Sequence, residues 1–374
     1  MKFKVAGKAF QTNLALMGKV LNAKNTITIL DNFLLKVEAD KLWITGSDSE
    51  STMVSWIEIF DVEGEGEVAV SSKTLSEMTK EIGNQPISFE MDDETRQINV
   101  TYQNGHFEFM GLDGAEFPRR ADSEEESREM VLPAEVIAKG IDNTLYAVSS
   151  DTIRPTLTGI FWDIKEDNIT FVSSDTHKLV RYINRQVRPG FEGGFILPAK
   201  PAGIVRSIIG KEDSEVKMKV NSKGAVFEVG PFKLSCKFIM GNYPNYNRVI
   251  VSDSPYHLVA DRESMLNAVR RVSLFASKST SLVKCEISAN QIRMTARDFD
   301  YSMLGEETVE CNYEGEPMMI GFATNYMSDI LSHLDCEEVK LSLVDPARPG
   351  LFEPLQQQPD ENIVVLQMPI QVLE

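Results

Sequence analysis

Gly159-Ile-Phe-Trp-Asp-Ile164, a polar turn, and Ile169-Thr-Phe-Val-Ser-Ser-Asp175 form the stretch that decides the fold, because the chain carries it three times. The first copy is Phe33-Leu-Leu-Lys-Val37 followed by Leu42-Trp-Ile-Thr-Gly-Ser-Asp48. The third is Val283-Lys-Cys-Glu-Ile287 followed by Ile292-Arg-Met-Thr-Ala-Arg-Asp298. The closing aspartates stand 127 and 123 residues apart. Other landmarks keep nearly the same step: helix starts near Ser72, Ala199 and Ala323, and the prolines Pro118, Pro244 and Pro369. A period of about 125 residues is domain-sized, so the chain is a triplicated domain and not a solenoid. The repeats are placed at 1–126, 127–252 and 253–374.

Each repeat reads as strand, helix, strand hairpin, further strand, second helix and a strand pair. Helical spacing of apolar residues marks Leu14, Met17 and Leu21, then Leu75, Met78 and Ile82, in the first repeat. The second carries Val136, Ile137, Ile141 and Leu145, then Ile204, Val205, Ile208 and Ile209. The third carries Leu266, Val269 and Leu274, then Tyr326, Met327, Ile330, Leu331 and Leu334. Polar turns at Glu38–Lys41, Lys165–Asn168 and Ser288–Gln291 favour hairpins, hence antiparallel pairing. Two helices on an antiparallel sheet per repeat is the α+β class, and each repeat is long enough to bury a core of its own. Asp122–Glu129, acidic and serine-rich, reads as an exposed linker, with a shorter one at Ser252–Pro255.

The formal net charge of −18 argues against nucleic acid when taken as a sum. Charges more than about 8 Å apart are largely screened at physiological salt, so a basic lining can coexist with an acidic exterior. Cys236, Cys285, Cys311 and Cys336 are far apart and read as small buried hydrophobes in a reducing compartment. Met1-Lys-Phe-Lys-Val-Ala-Gly-Lys8 has no apolar signal core, and no apolar run reaches the ~18 residues of a membrane span. A cytoplasmic protein without a membrane partner is expected.

Catalytic signatures are missing. There is no phosphate-binding glycine loop, no zinc-protease helix motif and no nucleophile elbow. His106, His177, His257 and His333 are scattered singly, so neither metal nor cofactor is expected. Ser173-Ser-Asp-Thr-His-Lys-Leu179 raises the alternative of a hydrolase. Read as a strand, it puts Asp175 and His177 on one side and Ser174 on the other, which assembles no relay. The other repeats carry Ser-Asp-Ser-Glu and Arg-Asp-Phe-Asp here, so the aspartate reads as a turn former and the His-Lys-Leu as private to the middle repeat. Two further departures are Gly241-Asn-Tyr-Pro-Asn-Tyr-Asn-Arg-Val-Ile250 and the C-terminal Val364-Val-Leu-Gln-Met-Pro-Ile-Gln-Val372. The latter reads as a last core strand or as the wall of an apolar surface groove, for which Met is adaptable.

The triplicate period, Asp-x-His-Lys-Leu, Tyr-Pro-Asn-Tyr-x-Arg-Val and the late Met-Pro-Ile together resemble the bacterial sliding clamps, the beta subunits of DNA polymerase III, over the whole length. The resemblance implies a non-catalytic processivity factor: three repeated clamp domains, two chains head to tail in a closed homodimeric ring, and duplex DNA encircled without sequence preference. It implies as partners the replicative polymerase and the clamp loader, which bring short peptides to a groove between the second and third domains. Carried over by position, Leu157, Leu179, Pro244, Val249, Leu366, Met368, Pro369 and Ile370 make the apolar wall, and Ser174, Thr176, His177, Lys178 and Arg248 the polar rim. The family commonly has Gly at 176, Arg at 178 and a basic residue at 371, where this chain has Thr, Lys and Gln.

Candidate DNA-facing cations on or beside the repeated helices are Lys24, Lys80, Lys139, Lys200, Arg206, Arg270 and Arg271, with Arg154 on a loop. Each reads equally as a solvated helix-face charge. The ring seam would centre on Phe107, which matches a seam aromatic of the family, with Leu274 and Phe275; Leu274 reads equally as core. The remaining alternative is a peptide-binding scaffold of the same fold that never encircles DNA.

Overall fold

The computed structural model describes residues 1–23, 25–119, 126–211, 214–250 and 253–372. Lys24, the first half of the acidic linker (122–125), Ser252 of the shorter linker and the last two residues therefore lie outside the described residues. The first repeat runs β1 (Lys2–Ala6), α1 (Gly7–Met17), β2 (Asn32–Glu38), β3 (Lys41–Ser47), β4 (Ser51–Glu58), β5 (Phe60–Glu63), β6 (Gly66–Ser71), α2 (Ser72–Ile82), β7 (Pro86–Met91), β8 (Gln97–Tyr102), β9 (Gly105–Met110) and β10 (Leu112–Asp113). The second runs β11 (Arg128–Pro133), α3 (Ala134–Thr144), β12 (Gly159–Lys165), β13 (Asn168–Ser174), β14 (Lys178–Asn184), β15 (Gly193–Pro198), α4 (Ala199–Ile208), β16 (Glu215–Val220), β17 (Gly224–Val229) and β18 (Phe232–Lys237). The third runs β19 (Tyr256–Asp261), α5 (Arg262–Ser273), β20 (Leu282–Ser288), β21 (Gln291–Asp298), β22 (Met303–Glu310), β23 (Asn312–Tyr313), β24 (Met318–Ala323), α6 (Thr324–His333), β25 (Glu338–Leu343), β26 (Gly350–Pro354) and β27 (Glu361–Gln367).

The strands gather in two compact units. Met1–Glu135 with Lys200–Phe238 holds a five-stranded sheet, β5-β1-β7-β8-β9, and a nine-stranded one, β10-β6-β2-β3-β4-β18-β17-β16-β11. Val136–Ala199 with Ile239–Glu374 holds a nine-stranded sheet, β15-β12-β13-β14-β27-β26-β25-β19-β23, and a four-stranded one, β22-β21-β20-β24. Adjacent strands of the nine-stranded sheets pair antiparallel, and each sheet crosses a repeat boundary, at Thr52↔Ser235 and at Leu179↔Leu366. The sheets are thus shared between repeats. An edge strand leaves a row of backbone donors and acceptors open, and the neighbouring repeat satisfies it.

Local chemistry sets the helices. Ser71 Oγ accepts the Thr74 amide at 3.2 Å to start α2, and Asp261 Oδ1 accepts that of Ser264 at 2.7 Å to start α5. Gly83, at φ 71°, ends α2. In the first unit α1 packs on α2 through Phe10, Leu14 and Met17; in the second α5 packs on α6 through Met265, Leu266 and Val269. The apolar spacing overran the α-helices: Leu21, Leu145, Ile209, Leu274 and Leu334 all lie beyond the last α-helical residue, Leu145 opening a 3-10 turn. Three strands, not a pair, follow each second helix, β7–β9, β16–β18 and β25–β27. No helix among the described residues is long and apolar enough to cross a membrane.

Candidate functional site

The repeated aspartate is a turn former in all three copies. Asp48 Oδ1 accepts the amides of Glu50 and Ser51, Asp175 Oδ1 those of His177 and Lys178, and Asp298 Oδ1 those of Asp300 and Tyr301, at 2.7 to 3.2 Å. Residues 175–177 thus form the turn between β13 and β14, which corrects the strand reading. Ser174 Oγ donates to the Lys178 carbonyl at 2.8 Å and accepts the Thr176 amide at 3.1 Å. Serine and aspartate are both spent on shaping the turn, and no nucleophile–base line exists.

Thr176 sits in this turn at φ 77°, the left-handed region, as does Ser49 at φ 77° in the first copy. A β-branched residue there is strained, which supplies a physical reason for the Gly that the resemblance implies at this position. Lys178 is corrected from rim to interior: it is 5% exposed. Its ammonium donates to Asp175 Oδ2 at 2.8 Å, lies 3.7 Å from Asp329 Oδ2 and stands 4.5 Å from the centre of the Tyr326 ring. The exposed His177 ring stacks on the same tyrosine with centroids 5.4 Å apart. Burial, then the charges of Asp175 and Asp329, pushes the Tyr326 phenol up and keeps it neutral. Tyr326 and Asp329 were missed in the sequence because nothing near them in the chain points to the β13–β14 turn.

The C-terminal segment is tied to that turn. The Met368 amide donates to the His177 carbonyl at 2.8 Å, and the Ile370 amide to that of Gly321 at 2.8 Å. Met368 is 40% exposed, with Pro369 and Ile370 half-buried beside it. Leu179 and Leu366 face each other on β14 and β27 and are buried, together with Val172, Tyr246, Leu351 and Val364. They form the floor of an apolar surface whose upper edge is Met368–Ile370. Tyr243 lies flat on Phe161, centroids 5.0 Å apart, and the Tyr246 hydroxyl donates to Asp163 Oδ2 at 2.6 Å. These two anchors leave Pro244, Arg248 and Val249 exposed between and after them. Leu157 is buried in the 3-10 turn Pro155–Leu157, next to Thr156, against which Gly241 packs. All of these residues belong to the second unit.

The candidate cations divide. Lys80 is exposed on α2 and has no ion-pair partner among the described residues, and Arg206 is half-buried on α4. Arg270 donates to Ser332 Oγ at 3.2 Å, which links α5 to α6. Arg154 pairs with Asp151 at 3.3 Å. Arg271 Nε donates to Glu307 Oε2 at 2.8 Å, and that hydrogen bond holds the Glu307 carboxyl below its usual range. Lys139 pairs with Glu361 Oε1 at 2.9 Å. Lys200 Nζ donates to the Val20 carbonyl at 2.6 Å, Asn22 Oδ1 at 2.7 Å and Asp48 Oδ2 at 2.6 Å. It is a strut between the start of α4 and the first repeat, with its donors consumed.

Of the predicted seam residues, Phe107 lies on β9, an outer strand of the five-stranded sheet, stacked on Tyr102 with centroids 5.3 Å apart and 39% exposed. Leu274 is 73% exposed, which removes the core reading. Phe275 lies over Gly305 on β22, an outer strand of the four-stranded sheet; a Cβ there would come within 2.7 Å of its ring.

Comparison with known proteins covers nearly the whole chain. The descriptions "DNA polymerase III beta subunit" N-terminal, central and C-terminal domain match residues 1–121, 131–245 and 247–371. The beta sliding clamp of Caulobacter vibrioides is 28% identical over 386 aligned residues, covering 100% of both chains. That of Bacillus subtilis is 25% identical, covering 99% of each. Among solved structures, a sliding clamp of Bartonella birtlesii bound to griselimycin has a TM-score of 0.93 at 23% identity, and the beta subunit of Thermotoga maritima 0.91 at 21%, each over 100% of both chains.

Proposed function

The chain belongs to the family of DNA polymerase III beta subunits, the sliding clamps, and from that premise we propose how it acts as a processivity factor: a head-to-tail homodimeric ring around duplex DNA. It is not an enzyme. The observation that carries the ring is the strand count of the two outer sheets. By the repeat, β9 corresponds to β18, and β22 to β4 and β14. At both internal junctions these strands pair, β4 with β18 and β14 with β27, to complete nine strands. The five-stranded sheet ending in β9 and the four-stranded sheet ending in β22 are the two unjoined parts of a third such sheet.

Extending the internal registers opposes Phe107 of one copy to Gly305 of the other, and His106 to Glu306. Phe107 would then cap the Phe275 ring, and a histidine would face a carboxylate. A heterologous contact of this kind closes only if the rotation per chain fits, and two such seams make the ring. A second feature supports it. The turn after the repeated aspartate meets the first turn of the next repeat's second helix at both internal junctions, as Asp48 with Lys200 and as His177 with Tyr326. In the third repeat that turn carries Phe299 and Tyr301, both largely exposed.

Retention on DNA is topological, so cations need only guide phosphates, which carry no sequence information. Lys24, Lys80, Arg154, Arg206, Arg270 and Arg271 are the proposed guides, Lys24 lying outside the described residues; Lys139 and Lys200 contribute charge while serving as ties. Polymerase and clamp-loader peptides are proposed to seat apolar anchors on Leu179, Leu366 and Met368, with His177 and Arg248 at the polar edge. Two grooves per ring allow partners to exchange without release. The family matches support three successive domains, for which the proposed bounds are 1–126, 127–252 and 253–374, with the third match beginning at 247; the cytoplasm is the proposed site of action. The test is run-off. A chain loaded on circular DNA should stay bound through a salt wash and be lost once the circle is linearised; equal retention on both would sink the ring and leave a scaffold.

A further inference from the structure

Eight strands of the two large sheets correspond in order, β6-β2-β3-β4-β18-β17-β16-β11 with β15-β12-β13-β14-β27-β26-β25-β19, so the groove floor has a counterpart in the first unit. Leu179 pairs with Leu366, Leu366 with Leu351 and Leu351 with Ser342. At the same places Thr52 pairs with Ser235, Ser235 with Val226 and Val226 with Lys219. The pair Arg181–Val364 becomes Val54–Lys233, and Tyr243-Pro244 becomes Phe117-Pro118. The counterpart is an open cleft of about 650 Å³. Its chemistry is inverted: leucines give way to hydroxyls, and lysines appear.

Three cations line the cleft, Arg119, Lys219 and Lys233, and among the described lining residues there is no carboxylate. This is unusual on a chain of net charge −18. The acids that pair with these cations, Glu67, Glu129 and Glu228, lie outside the lining. Solvent-exposed pairs of this kind are worth about 0–1 kcal/mol, so a ligand carboxylate can displace them at little cost. The cleft also carries an apolar strip of the half-buried Trp43, Val54 and Val226, with Phe117 buried at its base. Trp43 is half-exposed, where the second sheet has the buried Thr170. Trp43 stands opposite Trp56 of β4, its cross-strand aromatic neighbour on the same face.

We infer that this cleft is a second docking site, for a short acidic peptide with one aromatic or aliphatic anchor. The anchor packs on Trp43, Val54 and Val226, and flanking carboxylates pair with Lys219, Lys233 and Arg119. The site stands on the first unit alone and does not depend on ring closure. The two grooves would then sort partners by charge, the second unit taking apolar peptides and the first acidic ones.

The probe is a fluorescein-labelled octapeptide, Asp-Glu-Phe-Glu-Asp-Leu-Glu-Asp, titrated by anisotropy with the full chain. Saturable binding tighter than about 100 μM is expected. It should weaken at least tenfold in the double variant Lys219→Glu with Lys233→Glu, and also in Trp43→Ala. It should be unchanged in Met368→Asp, which spoils the second-unit groove. Loss in Met368→Asp alone would assign the peptide to that groove and overturn the inference, as would absence of binding. Binding seen only after Glu124, Glu125 and Glu126 are replaced by Gln would mean the chain's own acidic segment fills the cleft, which also overturns a partner site.

Discussion

Replacing Phe107 with Ala tests the seam at its proposed centre. The side chain is 39% exposed in the single chain, and the extended register covers it with Gly305 and Phe275 of the second copy. A phenylalanine has about 200 Å² to bury, so about 80 Å² is left for the seam to cover. At about 25 cal/mol per Å² this is about 2 kcal/mol per contact. A ring has two such contacts, and both change in the variant. The sum, about 4 kcal/mol, corresponds to roughly a thousandfold rise in the dimer dissociation constant. Sedimentation velocity across a concentration series reads this directly, with Met368→Asp as a dimeric control. A dissociation constant that moves less than about threefold would remove Phe107 from the seam and, with it, the register that places it there.

Thr176→Gly should raise stability by about 0.5–1 kcal/mol, because the left-handed strain of a β-branched residue exceeds the entropy that Gly adds to the unfolded chain. A denaturant midpoint that falls would refute it. Lys200→Met should cost about 2–3 kcal/mol, since Asp48, nearly buried, loses its only ion-pair partner among the described residues; a urea series followed by Trp43 and Trp56 fluorescence reads it. Burial holds the phenols of Tyr146, Tyr182, Tyr243 and Tyr246 well above their ordinary range. The unfolded chain releases those protons from about pH 10, while the native chain keeps them. Stability should be intact below that pH and fall as pH rises through it, chiefly in Val136–Ala199 with Ile239–Glu374. Thermal melts between pH 8 and 11 check the direction. Burial also pushes the Cys285 thiol up to about 12, so a disulfide reagent at pH 8 should leave it unmodified until denaturant is added.

What was legible in the chain was whatever local pattern fixes. The repeated hairpins and their aspartate turns appear where the spacing put them, because period-2 burial and an Asx turn are decided within a dozen residues. The helices appear too, but their apolar stripes ran on into residues such as Leu21 and Leu334, whose backbone is already extended. The pairing of β4 with β18 was invisible, since strands about 180 residues apart share no local signal. Lys178 was misplaced for a similar reason. A lysine after a polar turn reads as solvated, and only the fold brings Tyr326 and Asp329 over it. Residues that serve as ties, such as Lys200 and Lys139, look identical in sequence to cations that serve a ligand.

Each long sheet is sewn across the boundary between repeats, so the unit that was duplicated and the unit that holds together are out of phase. A fragment trimmed to one sequence period would expose a raw strand at both ends and should aggregate or capture its neighbours. A whole period, by contrast, could be inserted or removed with every cut edge still meeting its natural mate. The perimeter of such an assembly is then set by how many periods a gene strings together, and not by any redesign of the joints.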